Sequence, residues 1–422
     1  MTACAGRWGA ALLAASLALG TTTAAAQSHG ATHGPARPYV VLVSFDAFRH
    51  DYIDRLHPPA IEGLAARGVR AEALIPAFPS KTFPNHYSLA TGLYPGHHGI
   101  VGNNFYDPVA RRVYRSGDPL AVRDARWYGG EPIWVTAERN GVRSASYYWP
   151  GSEAAIGGVR PGDVMAYDAH VPDSTRVDGV VRWLRRPPAT RPHLVLLYMS
   201  DVDDTTHKFG PDAPNTAHAV ANVDRALQRL LDSVAVLPIH DSVNVVLVSD
   251  HGMATVSAER TLNVFDALAH AGVDTSGILA SDNGPTMSLW FNGDAARLGR
   301  ARTALAAELA HADVYRRDSI PARFHTAGNP RIGDLLLVAW PGMVLQRRLT
   351  DRAPTAGAHG FDPAWEDMWG IFVAAGPNVA PAGRIPAFEN VNVYPFIAAL
   401  LQLEHRPPID GDARVLGGLV RR

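Results

Sequence analysis

The sequence predicts an α/β protein in which a buried, mostly parallel sheet carries helices on both faces. Three observations carry that expectation. The runs "PYVVLVSF", "HLVLLYM" and "SVNVVLV" are continuously apolar and rich in β-branched residues, the pattern of strands buried on both sides. Each run ends in acids: Asp46, the group Asp201 to Asp204, and Asp250. The intervals carry apolar residues at helical spacing, as in 217–234, and strands alternating with helices build parallel sheets.

In chain order, the first 30 residues hold one Arg, an apolar run from Trp8 to Leu19 and an A-x-A pattern at Ala24 to Ala26. That is the layout of a secretory signal peptide over 1–26, with an apolar run too short to span a membrane. The single cysteine, Cys4, falls inside it, so the mature chain relies on its core and on bound metals rather than on disulfides. The first buried strand covers Val40 to Phe45. In "PSKTFPNHYSLATG" Thr82 stands where a helix begins. "SASYYWPGS" is a strand closed by a Pro-Gly turn, and the runs that begin at His193 and Ser242 follow. "PTMSLWF", "DLLLVAW" and "GIFVAAGP" add later strands. With no fixed-period repeat and no low-complexity linker, one catalytic domain over about 37–405 is expected, with an inserted lobe at about 274–355.

A content of 47% hydrophobic and 19% charged residues suits a large core, and a net charge of −1 leaves no basic footprint for nucleic acid. Phosphate chemistry would come from a local site. Ligands of open α/β sheets bind beyond the carboxyl ends of the strands, where these acids collect. Crowded carboxylates repel unless something neutralises them, and His207, His251 and His359 point to metal ions. "DDTTH" places Asp203 and His207 on one helical face, and "SDHG" supplies adjacent ligands on a turn. Asp and His together suit zinc or a similar divalent ion. Coordination to such an ion lowers the pKa of a threonine hydroxyl, and the free N–H groups of a helix N-terminus favour an anion beside it. Without the metals, Thr82 would read as a structural helix cap.

"KTFPNHYSLATGLYPGHHGIVGNNFYDP", "SDHGM", "GAHGFDP" and "FENVNVYPF" closely resemble the nucleotide pyrophosphatase/phosphodiesterase family of the alkaline phosphatase superfamily, from about Tyr39 to Leu403. The resemblance implies a three-layer α/β/α fold and two zinc ions per chain. It places Asp203, His207 and His359 on one ion, and Asp46, Asp250 and His251 with the Thr82 oxygen on the other. It assigns Thr82 as nucleophile, Asn103 to the phosphoryl oxygen with the Phe83 backbone N–H as its partner, and Tyr167 to base stacking beside the Phe83 ring. The chain departs from the family pattern E-P-D-x-x-G-H, reading "DVDDTTH", which leaves the loop shape there open and gives Asp204 no role. His86, His97 and His98 match no ligand position and read as structural or pocket-lining.

The function expected is an exported phosphodiesterase and pyrophosphatase, periplasmic or secreted, acting on small nucleotides, with no stable nucleic-acid partner and no membrane span. A phosphomonoesterase of the same superfamily is the first rival; it needs an extra cation for the monoester oxygen, and the motif blocks offer only the neutral Asn103. A lysophospholipid or choline phosphodiesterase and a metal-retaining binding module are the others.

Overall fold

In the computed structural model the protein is described over residues 37–348 and 355–421. The predicted signal peptide with Cys4, and residues 349–354 of the predicted lobe, lie outside the described residues. The strands in chain order are β1 (Tyr39–Phe45), β2 (Val69–Ala71), β3 (Ser144–Tyr147), β4 (Asp163–Met165), β5 (Leu194–Met199), β6 (Val243–Val248), β7 (Leu279–Asp282), β8 (Thr286–Trp290), β9 (Ala312–Arg316), β10 (Leu335–Ala339), β11 (Phe372–Ala375) and β12 (Gly383–Ile385). An 8-stranded sheet has the order β12-β2-β11-β6-β1-β5-β3-β4, and all of its strands but β11 run in one direction.

Alternate residues of the central strands feed two separate cores. Val40 and Leu42 pack with Leu89 and Ala90 of α1 (Thr82–Thr91), Trp134 and Val135 of α2 (Ile133–Arg139), and residues of a C-terminal helix, Val393–Leu400. Val41, Val43 and Phe45 pack with Val177 and Leu184 of α3 (Asp173–Leu184) and, beyond α4 (Asp201–Phe209), with Val223 and Leu227 of α5 (Pro214–Ala235). Continuous rather than alternating strands follow directly: each side chain on either face is worth about 1.5–3 kcal/mol when buried.

Two of the later runs fold apart from this sheet. "PTMSLWF" and "DLLLVAW" supply β8 and β10 of a 4-stranded antiparallel sheet, β7-β8-β10-β9, over its own core of Met287, Leu289, Leu335 and Leu337. "GIFVAAGP" supplies β11, which enters the main sheet reversed, between β6 and β2. Apolar continuity reports burial and carries no information about strand direction.

The register sets the site. Phe45 pairs with Met199, and Ser44 lies between Tyr198 and Val248, so β1, β5 and β6 end side by side. Asp46, Ser200 and Ser249 therefore leave the sheet along one edge, and the Asp46 N–H is tied to the Met199 carbonyl at 2.9 Å. Past β5 the chain turns at once into α4, whose first turn holds Asp201, Asp203 and Asp204. Carboxylates there interact favourably with the helix dipole, which accounts for the run of acids independently of any ligand role.

Candidate active site

Asp203 and His207 lie one turn apart on α4, and His359 comes from the loop after Gly357–Ala358; these three form one cluster. Asp46 after β1, and Asp250 with His251 after β6, form the other. In each cluster one ligand atom per residue lies within 4.8 Å of the others. The clusters adjoin, with the His251 and His359 rings stacked at 3.7 Å between centroids. The altered "DVDDTTH" stretch is helical, with Val202 and Thr206 buried beneath the ligands and Asp204 exposed on the outer side.

The donor set fits divalent cations. His207 Nδ1 donates to the Gly357 carbonyl at 2.8 Å, His251 Nδ1 to Gly252 at 2.9 Å, and His359 Nδ1 to Ser80 at 2.9 Å. Each imidazole thus keeps its proton on Nδ1 and presents an Nε2 lone pair, the arrangement that outer hydrogen bonds impose on metal-binding histidines. The carboxylates are split in the same way. Asp46 Oδ2 accepts the Tyr198 hydroxyl at 2.6 Å and Asp250 Oδ1 the Ala47 N–H at 3.3 Å, while Asp46 Oδ1, Asp250 Oδ2 and Asp203 Oδ1 are buried without a hydrogen bond. These bare oxygens face the bare nitrogens: Asp250 Oδ2 and Asp46 Oδ1 lie 3.0 and 3.5 Å from His251 Nε2, and Asp203 Oδ1 lies 3.4 Å from His207 Nε2. Buried acceptors facing buried acceptors are costly unless a cation sits among them.

Electrostatics agree. Burial, with Asp250 and Asp203 close by, drives the Asp46 carboxyl well above its ordinary range, and burial beside His251 drives His359 well below its own. Burial also opposes ionisation of Asp250, and its carboxyl is held far below the usual range only when positive charge stands at the neighbouring His251 and His86, a charge that a bound cation would supply with His251 neutral. Ala47, which directs Asp46 into the site, sits at φ 56°, a left-handed conformation uncommon for a residue with a Cβ.

Thr82 is the first residue of α1, and its Oγ1 lies 3.4 Å from His251 Nε2. It is not a capping residue: the N-cap is Lys81. Asn85 fixes the approach, its Oδ1 accepting from Ala77 at 2.7 Å and its Nδ2 donating to the Pro79 and Lys81 carbonyls. His86, fully buried, donates from Nδ1 to the Thr82 carbonyl at 2.9 Å, and that nitrogen also lies 3.3 Å from Asp250 Oδ2. His98 is buried too, whereas His97 pairs with Asp410 at the surface.

Asn103 and the Phe83 N–H, expected as partners, lie together. The Phe83 N–H donates to Asn103 Oδ1 at 3.0 Å, which leaves the Asn103 Nδ2 to donate elsewhere. Thr82, Phe83, Asn103, Asp46 and Asp203 share a cleft of about 380 Å³ with Tyr167 and Trp149. Tyr167 is 49% exposed, its ring edge-on to Tyr148 at 5.2 Å and its N–H held by Glu153, which also pairs with Arg123 at 2.8 Å. Trp149 is a core residue whose Nε1 donates to the His86 carbonyl.

Sequence reasoning missed three residues. Tyr198, the partner of Asp46, is hidden in an apolar strand, where its polar tip was the only signal. Glu153 directly follows "SASYYWPGS", with nothing to connect it to Tyr167. Lys81 stands beside Thr82, where no local pattern distinguishes it from an ordinary surface lysine. It is 8% exposed, burial pushes its ammonium down to about 8 against the pull of Asp203, Asp282 and Asp46, and it lines a second cleft of about 600 Å³ that also reaches Asn103 and His207.

Residues 40–362 match the family model described as type I phosphodiesterase/nucleotide pyrophosphatase. An uncharacterised pyrophosphatase/phosphodiesterase of Schizosaccharomyces pombe is 35% identical over 382 residues, 87% of this chain and 78% of its own length. A venom phosphodiesterase of Crotalus durissus collilineatus is 34% identical and human ectonucleotide pyrophosphatase/phosphodiesterase family member 1 is 33% identical; the chain spans 46% and 40% of their lengths, matching 90% and 88% of itself. Murine ectonucleotide pyrophosphatase/phosphodiesterase 5 superposes with a TM-score of 0.85 at 29% identity, over 91% of this chain and 100% of its own. An inactive threonine-to-alanine variant of that murine protein has been solved in complex with AMP.

Proposed function

The chain belongs to the type I phosphodiesterase/nucleotide pyrophosphatase family, and from that premise we propose that it is an exported enzyme, with two zinc ions, that hydrolyses nucleoside 5′-phosphodiesters and nucleotide pyrophosphate bonds to nucleoside 5′-monophosphates through a covalent intermediate on Thr82. The observation that carries the reading is the Thr82 hydroxyl, 3.4 Å from His251 Nε2 and in one cleft with Asp46, Asp203 and Asn103. The inactive, AMP-bound threonine variant of the murine relative supports both the nucleophile and the product.

Asp203, His207 and His359 would hold one ion, and Asp46, Asp250 and His251, with Thr82, the other. Divalent cations bound there supply a lowered hydroxyl pKa, an activated water and neutralisation of the departing oxygen. Thr82 Oγ1 forms the bond to phosphorus as the bond to the leaving oxygen breaks, giving a nucleotidyl-threonine; water then cleaves that ester and restores the hydroxyl. The Asn103 amide donates to the phosphoryl oxygen, where negative charge builds. The His86 N–H fixes the Thr82 carbonyl and so the direction of attack. Tyr167 and Phe83 would take the base between them, a contact that tolerates any base because each has a π face.

The 37–405 segment acts as one catalytic domain with the β7 to β10 sheet as its inserted lobe. Export, to the periplasm or beyond, rests on the leader-like first 26 residues and on relatives named as venom and ecto-enzymes. The experiment is hydrolysis by the mature protein of the p-nitrophenyl ester of thymidine 5′-monophosphate beside p-nitrophenyl phosphate, with chelator and with added zinc. A zinc-dependent preference for the diester supports the reading; a preference for the monoester makes the protein a phosphatase.

A further inference from the structure

Two clefts meet at Asn103. The first contains the Thr82 hydroxyl and the aromatic residues; the second contains His207, Lys81 and the turn Asp282-Asn283-Gly284. Of the second cleft's lining the reaction above uses only Asn103 and His207, and this cleft is the larger of the two.

Lys81 is built into it. Its stem crosses Gly360, where φ is 115° and an added Cβ would stand 2.5 Å from Lys81 Cε, so glycine is required for the side chain to pass. Its Nζ ends 3.9 Å from the position of a Cβ on Gly284. The residue is largely buried, and its Nζ, which opens into the cleft, makes no hydrogen bond or ion pair with any described residue; Asp203, Asp282 and Asp46 act on it only at longer range. A cation that has lost most of its hydration and has no hydrogen-bonded protein partner favours an anionic ligand in the cleft it faces. Asn283, which shapes the wall beside it, is locked by two hydrogen bonds to the Asn104 backbone, so the cleft is rigid on that side.

We propose that the second cleft is the leaving-group subsite and that Lys81 binds the phosphate adjoining the scissile bond, selecting nucleotide pyrophosphate bonds over diesters whose leaving group carries no phosphate. The proposal rests on the phosphodiesterase reading, because that reading places the nucleoside in the aromatic cleft and leaves this one for the departing group. A charged hydrogen bond of this kind is worth about 1.5–3 kcal/mol, or about 10- to 150-fold.

The test compares Lys81→Met, which preserves the stem packed on Gly360, and Lys81→Gln with the wild type on three substrates: ATP, the p-nitrophenyl ester of thymidine 5′-monophosphate, and p-nitrophenyl phosphate. The result expected is a fall in kcat/KM for ATP that exceeds the fall for the thymidine ester by about tenfold or more, in both variants. Equal falls on both nucleotide substrates, no fall on either, or a loss concentrated on p-nitrophenyl phosphate would overturn the subsite. Calorimetric titration of ATP and AMP into zinc-loaded Thr82→Ala protein, with and without Lys81→Met, reads binding without turnover. Lys81→Met is expected to abolish the advantage of ATP over AMP, and its persistence would overturn the proposal. A wild type that cleaves neither nucleotide substrate would sink the proposed function, and the titration would still decide the subsite.

Discussion

Replacing Asn103 tests the donor proposed for the phosphoryl oxygen. Its Oδ1 is occupied by the Phe83 N–H at 3.0 Å, so only Nδ2 can donate to a phosphoryl oxygen. One preorganised donor of this type contributes about 2.7–4 kcal/mol to the transition state, so Asn103→Ala should lower kcat by about 10²–10³. Alanine also strands the Phe83 N–H at the first turn of α1, which costs stability, about 1–3 kcal/mol if the N–H stays dry. Asn103→Asp separates the two effects: a carboxylate still accepts from Phe83 but turns a negative charge toward the phosphoryl group. The aspartate variant should therefore lose at least as much kcat as alanine while melting closer to the wild type. The assay is kcat and KM on the p-nitrophenyl ester of thymidine 5′-monophosphate with zinc-loaded protein, with Tm measured on the same samples. An alanine variant within about threefold of wild-type kcat, or an aspartate variant faster than alanine, refutes the assignment of Nδ2 as the donor.

Tyr167→Ala should raise KM for nucleotide esters by about 5- to 150-fold, from a stacking contribution of about 1–3 kcal/mol, and much less for bis(p-nitrophenyl) phosphate; equal effects would remove the base from that ring. Chelation should lower Tm by leaving the bare oxygens of Asp46, Asp203 and Asp250 facing one another, with Tm and activity restored by about two zinc ions per chain; no change in Tm would refute the fit of the ligand set. His98 gives a pH dependence of stability. Burial holds it down at about 3 against 6.5, with the Ile100 N–H donated to its Nδ1 at 3.2 Å and its Nε2 paired with Ser88 Oγ at 3.0 Å. Between those values the unfolded chain binds the proton and the folded chain does not, so its contribution is complete above pH 6.5 and is lost as pH falls toward 3. The slope is about 1.4 kcal/mol per pH unit, or about 2 kcal/mol by pH 5, and denaturant melts of His98→Gln should lack it. Identical slopes in variant and wild type would refute the neutral, buried imidazole.

The parts of the fold and site that were legible share a local cause. Asp46, Asp203 and Asp250 could be placed because each follows a buried run by one to four residues, and strand ends of a parallel sheet share an edge. His207 and His251 could be placed because they sit a helical turn from one acid and next to another. The direction of β11 was not legible, since an interior strand buries both faces whichever way it runs. Nor was the sheet to which β8 and β10 belong. What no local pattern conveys is distance between remote segments, and the site depends on it. A threonine at the start of a helix reads as a cap wherever it occurs. In this protein the first helical position is taken by Thr82 and the cap by Lys81, so the hydroxyl is left for His251, 169 residues away, and the ammonium is left for the second cleft. The same displacement by one residue gives the two neighbours different surroundings: Thr82 lines one cleft and Lys81 the other, so in the proposed reaction adjacent side chains would serve the nucleophile and the leaving group. A substitution that moved the cap back to residue 82 would be expected to disable both together.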